Sequence, residues 1–259
     1  MQARTARHRN YNRLTDRPLD MYGEFTVTEH LEELRKRVTF SLLALMLATA
    51  VSVPFSPVVL KFLKYPSGGA IGRLVFFGPE EAFLIYMRIS ISAGLVIALP
   101  VILFQLWAFL SPAIDERFKK HAFFFVFFSF LVFLLGCSFS YFILLPAALK
   151  FLLNIGRNDL EPVISAARYI SFVTGLILAC GIVFEMPVIS FFLTRIGVIN
   201  AGILRRKFLY AVIVIMIAAA VITPTGDAFN MLMLALPMLA LYEVSVWVSF
   251  FSGKRKISG

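Results

Sequence analysis

The chain has 259 residues, 59% of them hydrophobic, and carries a formal charge of +10. With a mean hydropathy of +0.84, it has more apolar surface than one soluble core of this size hides from water, so lipid is the solvent for most of it. The charge does not mark a nucleic-acid binder, because the basic residues lie between apolar runs and at the termini instead of interleaving with aromatics on one face. Cys137 and Cys180 both fall inside apolar segments, which excludes a disulfide framework and leaves them as buried structural thiols.

Residues 1–20 are polar and Arg-rich with no apolar core. That composition excludes a cleavable secretory signal and predicts a disordered basic tail over residues 1–25. Thr26 with Glu29 resembles a capping box, and Val27, Leu31, Leu34 and Val38 recur at helical spacing, so an amphipathic helix starts here and runs into lipid. A span needs about 20 apolar residues. Candidate runs lie near 38–57, 83–109, 122–145, 169–193, 208–222 and 229–251. Pro54 and Pro57 are expected to end the first run, Pro112 to follow the second, Pro146 to close the third and Pro224 to separate the fifth from the sixth. The fifth run, roughly 22 Å long as a helix, cannot cross a ~30 Å hydrocarbon core without thinning it or sheltering behind longer neighbours. Pro237 interrupts the sixth run and frees a backbone carbonyl, which predicts a kink unless neighbours satisfy it. No internal repeat is evident.

With the N-terminus inside, the inside segments hold eighteen Lys/Arg and the outside segments six: Lys61, Lys64, Arg73, Lys150, Arg157 and Arg168. This bias places both ends in the cytoplasm. The predicted fold is an all-α integral membrane protein with six transmembrane helices over 26–251, followed by a basic cytoplasmic tail at 252–259.

Ionisable groups at membrane depth cost about 2.5–3.5 kcal/mol on insertion scales, so each needs a reason. Arg88, a turn or two into the second span, can snorkel to the outer surface. Glu185, in Gly181-Ile182-Val183-Phe184-Glu185-Met186-Pro187, lies well inside the fourth span, where a carboxylate either protonates or lines a polar cavity. Glu243 lies nearer the inner end of the sixth span and reaches either a helix partner or the headgroups. At the inner face, Glu32 stands over Lys36 and Glu33 over Arg37 at i, i+4. The pattern serves either as surface pairing or as a carboxylate acceptor for a cationic partner. His30-Leu31-Glu32-Glu33 lacks the HExxH arrangement of a zinc protease, so no metal is implied. There is no GxSxG and no Gly-rich loop with a Lys for phosphate. Thr225-Gly226-Asp227 lacks the second intramembrane aspartate that a protease would need. Neither an enzyme nor a cofactor is expected.

Taken together, the segments from Thr28 to Phe251 resemble the TatC family, the multi-span core of the twin-arginine protein translocase. The likeness rests on His30-Leu31-Glu32-Glu33-Leu34-Arg35 and on Pro79, Glu81 and Phe83 before the second span. Pro100, Gln105, Trp107, Phe109 and Pro112 follow at the family spacing. Gly136, Phe139, Tyr141, Phe142, Leu145 and Pro146 resemble the end of the third span, and Phe184-Glu185-Met186-Pro187 and Thr223-Pro224 through Asp227 match the later ones.

The resemblance implies recognition of twin-arginine signal peptides and export of folded proteins driven by the proton-motive force. It also implies the single-span partners TatA and TatB, an oligomer with TatB, and a cupped bundle with short fifth and sixth helices. It gives Glu33, with Arg35 beside it, the role of receiving the two signal arginines, which suits the paired charge-assisted hydrogen bonds of a carboxylate and a guanidinium. Glu185 corresponds to the family's polar residue on the concave face, and Gln105 and Glu243 join it as polar intramembrane candidates. Pro79, Phe109 and the outer-loop acid Asp227 also fall on functional positions. One position departs: where the family carries a second signal-binding glutamate, six residues beyond Pro112, this chain has Phe118. Asp115 or Glu116 is expected to supply that carboxylate. The rival reading is a proton-coupled small-solute transporter using Glu185, but the repeated halves of such transporters are missing. A bacterial inner membrane is expected in preference to a thylakoid or other organellar one, since no long targeting segment is present.

Overall fold

A computed structural model describes residues 27–67, 74–110, 122–154, 163–223 and 228–253. The chain divides into two compact units, Met1–Lys36 and Arg37–Gly259. Of the first, the opening turns of helix α1 (Val27–Ser52) are described. Thr26 of the expected capping box, Pro112 and Pro224 lie outside the described residues.

Among the described residues the second unit is built from helices. After α1 come α2 (Ser56–Lys64), α3 (Pro79–Leu110), α4 (Ala122–Phe139), α5 (Leu145–Asn154) and α6 (Ala166–Phe184). There follow α7 (Met186–Ile196), the short α8 (Ala201–Arg206), α9 (Phe208–Ile222) and α10 (Ala228–Ser252). Among the described residues, five stretches are long and apolar enough to cross a membrane: Leu31–Lys64, Pro79–Leu110, Ala122–Asn154, Ala166–Ile196 and Ala228–Ser252. Helix α9 is apolar but shorter. Large apolar side chains point outward, as with Phe123 at 82% exposure and Val221 at 79%, while Ser90, Ser140, Asn230, Ser245 and Ser249 are buried. Apolar groups outside and hydroxyls inside is the distribution that lipid imposes.

Two expectations about prolines are refined. Helix α1 does end at Ser52, just before Pro54, but the helical stretch does not: a 3₁₀ turn at Val53–Phe55 leads directly into α2, with a proline in its first turn. A proline there loses no helical hydrogen bond, and the Val53 carbonyl, four residues before Pro57, accepts from Ser56 Oγ at 2.7 Å. Nor does Pro146 close the third span. A π turn at Ser140–Leu144 absorbs the disruption ahead of it, and the span continues as α5 to Asn154. Pro100 and Pro237 lie inside α3 and α10, which remain single helices.

The core forms where α6 packs against α3 and α4, and where α10 packs against α7 and α9. Ile89, Ile170, Val173, Leu234 and Val246 are fully buried there. The end of α2 is anchored by two tyrosines. Tyr141 donates to the Phe62 carbonyl at 2.8 Å, and Tyr169 donates to that of Leu63 at 2.9 Å. Val75 forms an isolated parallel bridge with Ser165, tying the approach to α3 to the start of α6.

Candidate functional site

The fourth span breaks at Glu185. This residue caps the C-terminus of α6 and precedes α7, whose first turn contains Pro187. Its backbone stays engaged, donating to Ile182 at 3.1 Å and accepting from Ile189 at 2.9 Å. What fixes its side chain is the contact between α4 and α6. Ser129, Phe133 and Gly136 recur at i, i+4 and i+7, so one turn after another of α4 presents a buried residue to α6. The backbones meet closely: a Cβ on Gly136 would lie 2.8 Å from the Cys180 carbonyl oxygen, and one on Gly181 would lie 2.9 Å from Cys137 Sγ. That approach carries Ser129 up to the carboxyl group. Ser129 Oγ donates to Glu185 Oε2 at 2.5 Å. Glu185 is buried, at 8% exposure, and among the described residues its Oε1 has no hydrogen-bond partner.

A second polar contact forms at the end of α3, where Arg37 Nη1 donates to Gln105 Oε1 at 3.1 Å. One turn on, Phe109 is half-buried. Trp107 is buried, and among the described residues its Nε1 has no hydrogen-bond partner. Between α7 and α10, Thr194 Oγ1 donates to the Ser249 hydroxyl at 2.8 Å. Arg195 lies over the Phe191 ring, 5.3 Å from its centroid.

Residues 29–237 match the family described as Sec-independent protein translocase protein (TatC). The chain belongs to the TatC family. The TatC protein of Helicobacter pylori strain 26695 is 37% identical over 220 residues, covering 85% of each chain. That of Aquifex aeolicus is 37% identical over 234 residues, covering 89% of this chain and 97% of its own. The Carboxydothermus hydrogenoformans protein is 31% identical over 246 residues, covering 95% and 99%. A crystal structure of the twin-arginine translocase receptor TatC superposes with a TM-score of 0.78 at 36% identity, covering 85% of this chain and 98% of that one. A second, in the detergent DDM, gives 0.79 at the same identity. Membership of TatC sets protein translocation, not solute transport, as the chain's process.

Within this TatC-family chain the predicted residues fall in different places. Glu33 is half-buried and Arg35 exposed, both in the first unit. Pro79 opens α3, and Glu81 two residues later accepts from the Phe77 amide at 3.0 Å, locking the helix start. Gln105 and Glu185 are each held by a long-range hydrogen bond. Glu243 is exposed on α10, where the adjacent Tyr242 turns inward to donate to the Leu204 carbonyl at 2.7 Å. Asp115, Glu116 and Asp227 lie outside the described residues. Sequence reasoning missed Ser129 and the Arg37–Gln105 pairing. A serine among phenylalanines carries no mark of its partner, and Arg37 reads locally as the i+4 neighbour of Glu33.

Proposed function

We propose that this chain is the receptor subunit of a twin-arginine translocase, taking the signal peptides of folded cargo at the cytoplasmic face of a bacterial inner membrane. The match over residues 29–237, joined by likeness to twin-arginine translocase receptor structures along 85% of the chain, carries the reading. The chain acts as a binding and transport component, not as an enzyme, with the proton-motive force as the energy source. Glu33 is the first carboxylate for the signal arginines, with Arg35 beside it, and Asp115 or Glu116 is the second in place of the residue at Phe118. A carboxylate takes a planar guanidinium through two parallel charge-assisted hydrogen bonds, which a lysine ammonium cannot reproduce. Phe109 completes the receiving surface. TatB and TatA are the single-span partners, TatB in a stable oligomer with this chain. Glu185 and Gln105 serve the intramembrane part of the route, Pro79 and Asp227 its outer rim, and the short α9 favours a locally thinned bilayer.

Photo-crosslinking from a signal peptide carrying a reactive residue beside its arginine pair tests the receptor role. Strong adducts are expected with the wild-type chain. Glu33→Ala, or charge reversal at both Asp115 and Glu116, is expected to reduce them about tenfold or more, the loss of one charge-assisted pair. A twin-lysine peptide that crosslinks as well as the twin-arginine one would refute the assignment.

A further inference from the structure

The geometry points to Ser129 as the positioning residue of Glu185, an inference that rests on the reading of Glu185 as a functional carboxyl of the translocation route. Hydroxyls within apolar helices ordinarily turn back onto their own backbone, four residues earlier. Ser52, Ser90, Ser171, Thr174 and Ser245 do so here, donating to the carbonyls of Ala48, Tyr86, Ala167, Ile170 and Leu241 at 2.6–2.8 Å. Ser129 instead donates across to Glu185 Oε2, 56 residues along the chain, at 2.5 Å. Both residues are buried, at 5% and 8% exposure. The hydroxyl therefore gives up its local bond for one specific long-range acceptor.

The terminal torsion of a glutamate is broad and two-fold, so an unheld carboxyl turns its oxygens between several directions. Fixing Oε2 selects one of them. Oε1, without a partner among the described residues, is then held at a constant place and angle at the break between α6 and α7. Oε1 itself is shut off from the surface, so a polar group that reaches it by entering between the helices finds an acceptor already oriented. The scaffold behind it is closely packed, because Gly136 and Gly181 let α4 and α6 approach until a Cβ at either glycine would clash with the other helix. Ser129 acts through Glu185 and needs no contact with cargo or partner.

The experiment measures export of a twin-arginine reporter in cells lacking their own TatC, supplied with the full chain and normalised to its membrane level. Ser129→Ala, Ser129→Thr, Glu185→Gln and the double variant Ser129→Ala/Glu185→Gln are compared with wild type. Ser129→Ala is expected to lower export about three- to tenfold, the weight of one buried hydrogen bond. Ser129→Thr, which keeps the hydroxyl, is expected to export better than the alanine variant. On the Glu185→Gln background, Ser129→Ala is expected to add no further loss, as for residues acting through one group. Normal export by Ser129→Ala beside a defective Glu185→Gln overturns the positioning role and leaves Glu185 standing. Multiplying losses in the double variant, or a threonine variant no better than alanine at equal membrane level, assign Ser129 to packing alone and overturn it too. Wild-type export by Glu185→Gln removes the reading beneath the inference and the inference with it.

Discussion

Several buried polar groups in this chain are held by particular long-range partners, and the cost of losing one can be stated residue by residue. Tyr169, 4% exposed, donates to the Leu63 carbonyl at the end of α2. Tyr169→Phe keeps the ring and removes that donor, so it is expected to destabilise the detergent-solubilised protein by about 1 kcal/mol. The fall in thermal midpoint would be a few degrees, and an unchanged midpoint would mean that another group replaces the tyrosine. At this scale the sequence was half legible. Glu185 stands out because an acid in an apolar run is expensive, and its inward placement follows. Ser129 was invisible because its partner comes from another helix, and a lone serine in a span reads as a local backbone donor. The contact between Arg37 and Gln105 escaped for the same reason: the two lie 68 residues apart, beyond the reach of any i, i+4 rule.

Among the elements, helix existence was readable and helix endings only in part. Apolar runs of sufficient length locate the spans, but proline was given too much weight as a terminator. Pro57 and Pro146 occupy the first turns of α2 and α5, where the missing amide costs nothing, and hydroxyl donors such as Ser56 take up the exposed carbonyl. The fifth run was read with its true bounds, since α9 covers Phe208–Ile222, 15 residues. About 22 Å of helix against a ~30 Å core leaves a mismatch that the bilayer or the neighbouring helices must absorb. Inserting four leucines after Ile217 adds about 6 Å and relieves it. If thinning aids transport, this variant is expected to insert at normal levels, judged by membrane immunoblot, while exporting reporter several-fold more slowly. Undiminished export would show that the short helix is not part of the transport device.

For the molecule as a whole, composition alone led to lipid, in keeping with the long apolar stretches and the TatC family. That property is a sum over many residues, so it tolerates local misreading. Function was legible only through the pattern of motifs: hydropathy would have fitted a solute transporter equally well, whereas the match over residues 29–237 and the superposition on receptor structures point to protein translocation. The carboxylates assigned to the signal arginines belong to that functional layer. The most direct test of the receptor reading is export of a twin-arginine reporter in cells lacking their own TatC, supplied with this chain and its cognate single-span partners. Wild type is expected to restore export of the folded reporter, with Glu33→Ala reduced at least tenfold at equal membrane level. Failure of the wild-type chain to restore export, although correctly inserted beside those partners, would contradict the account.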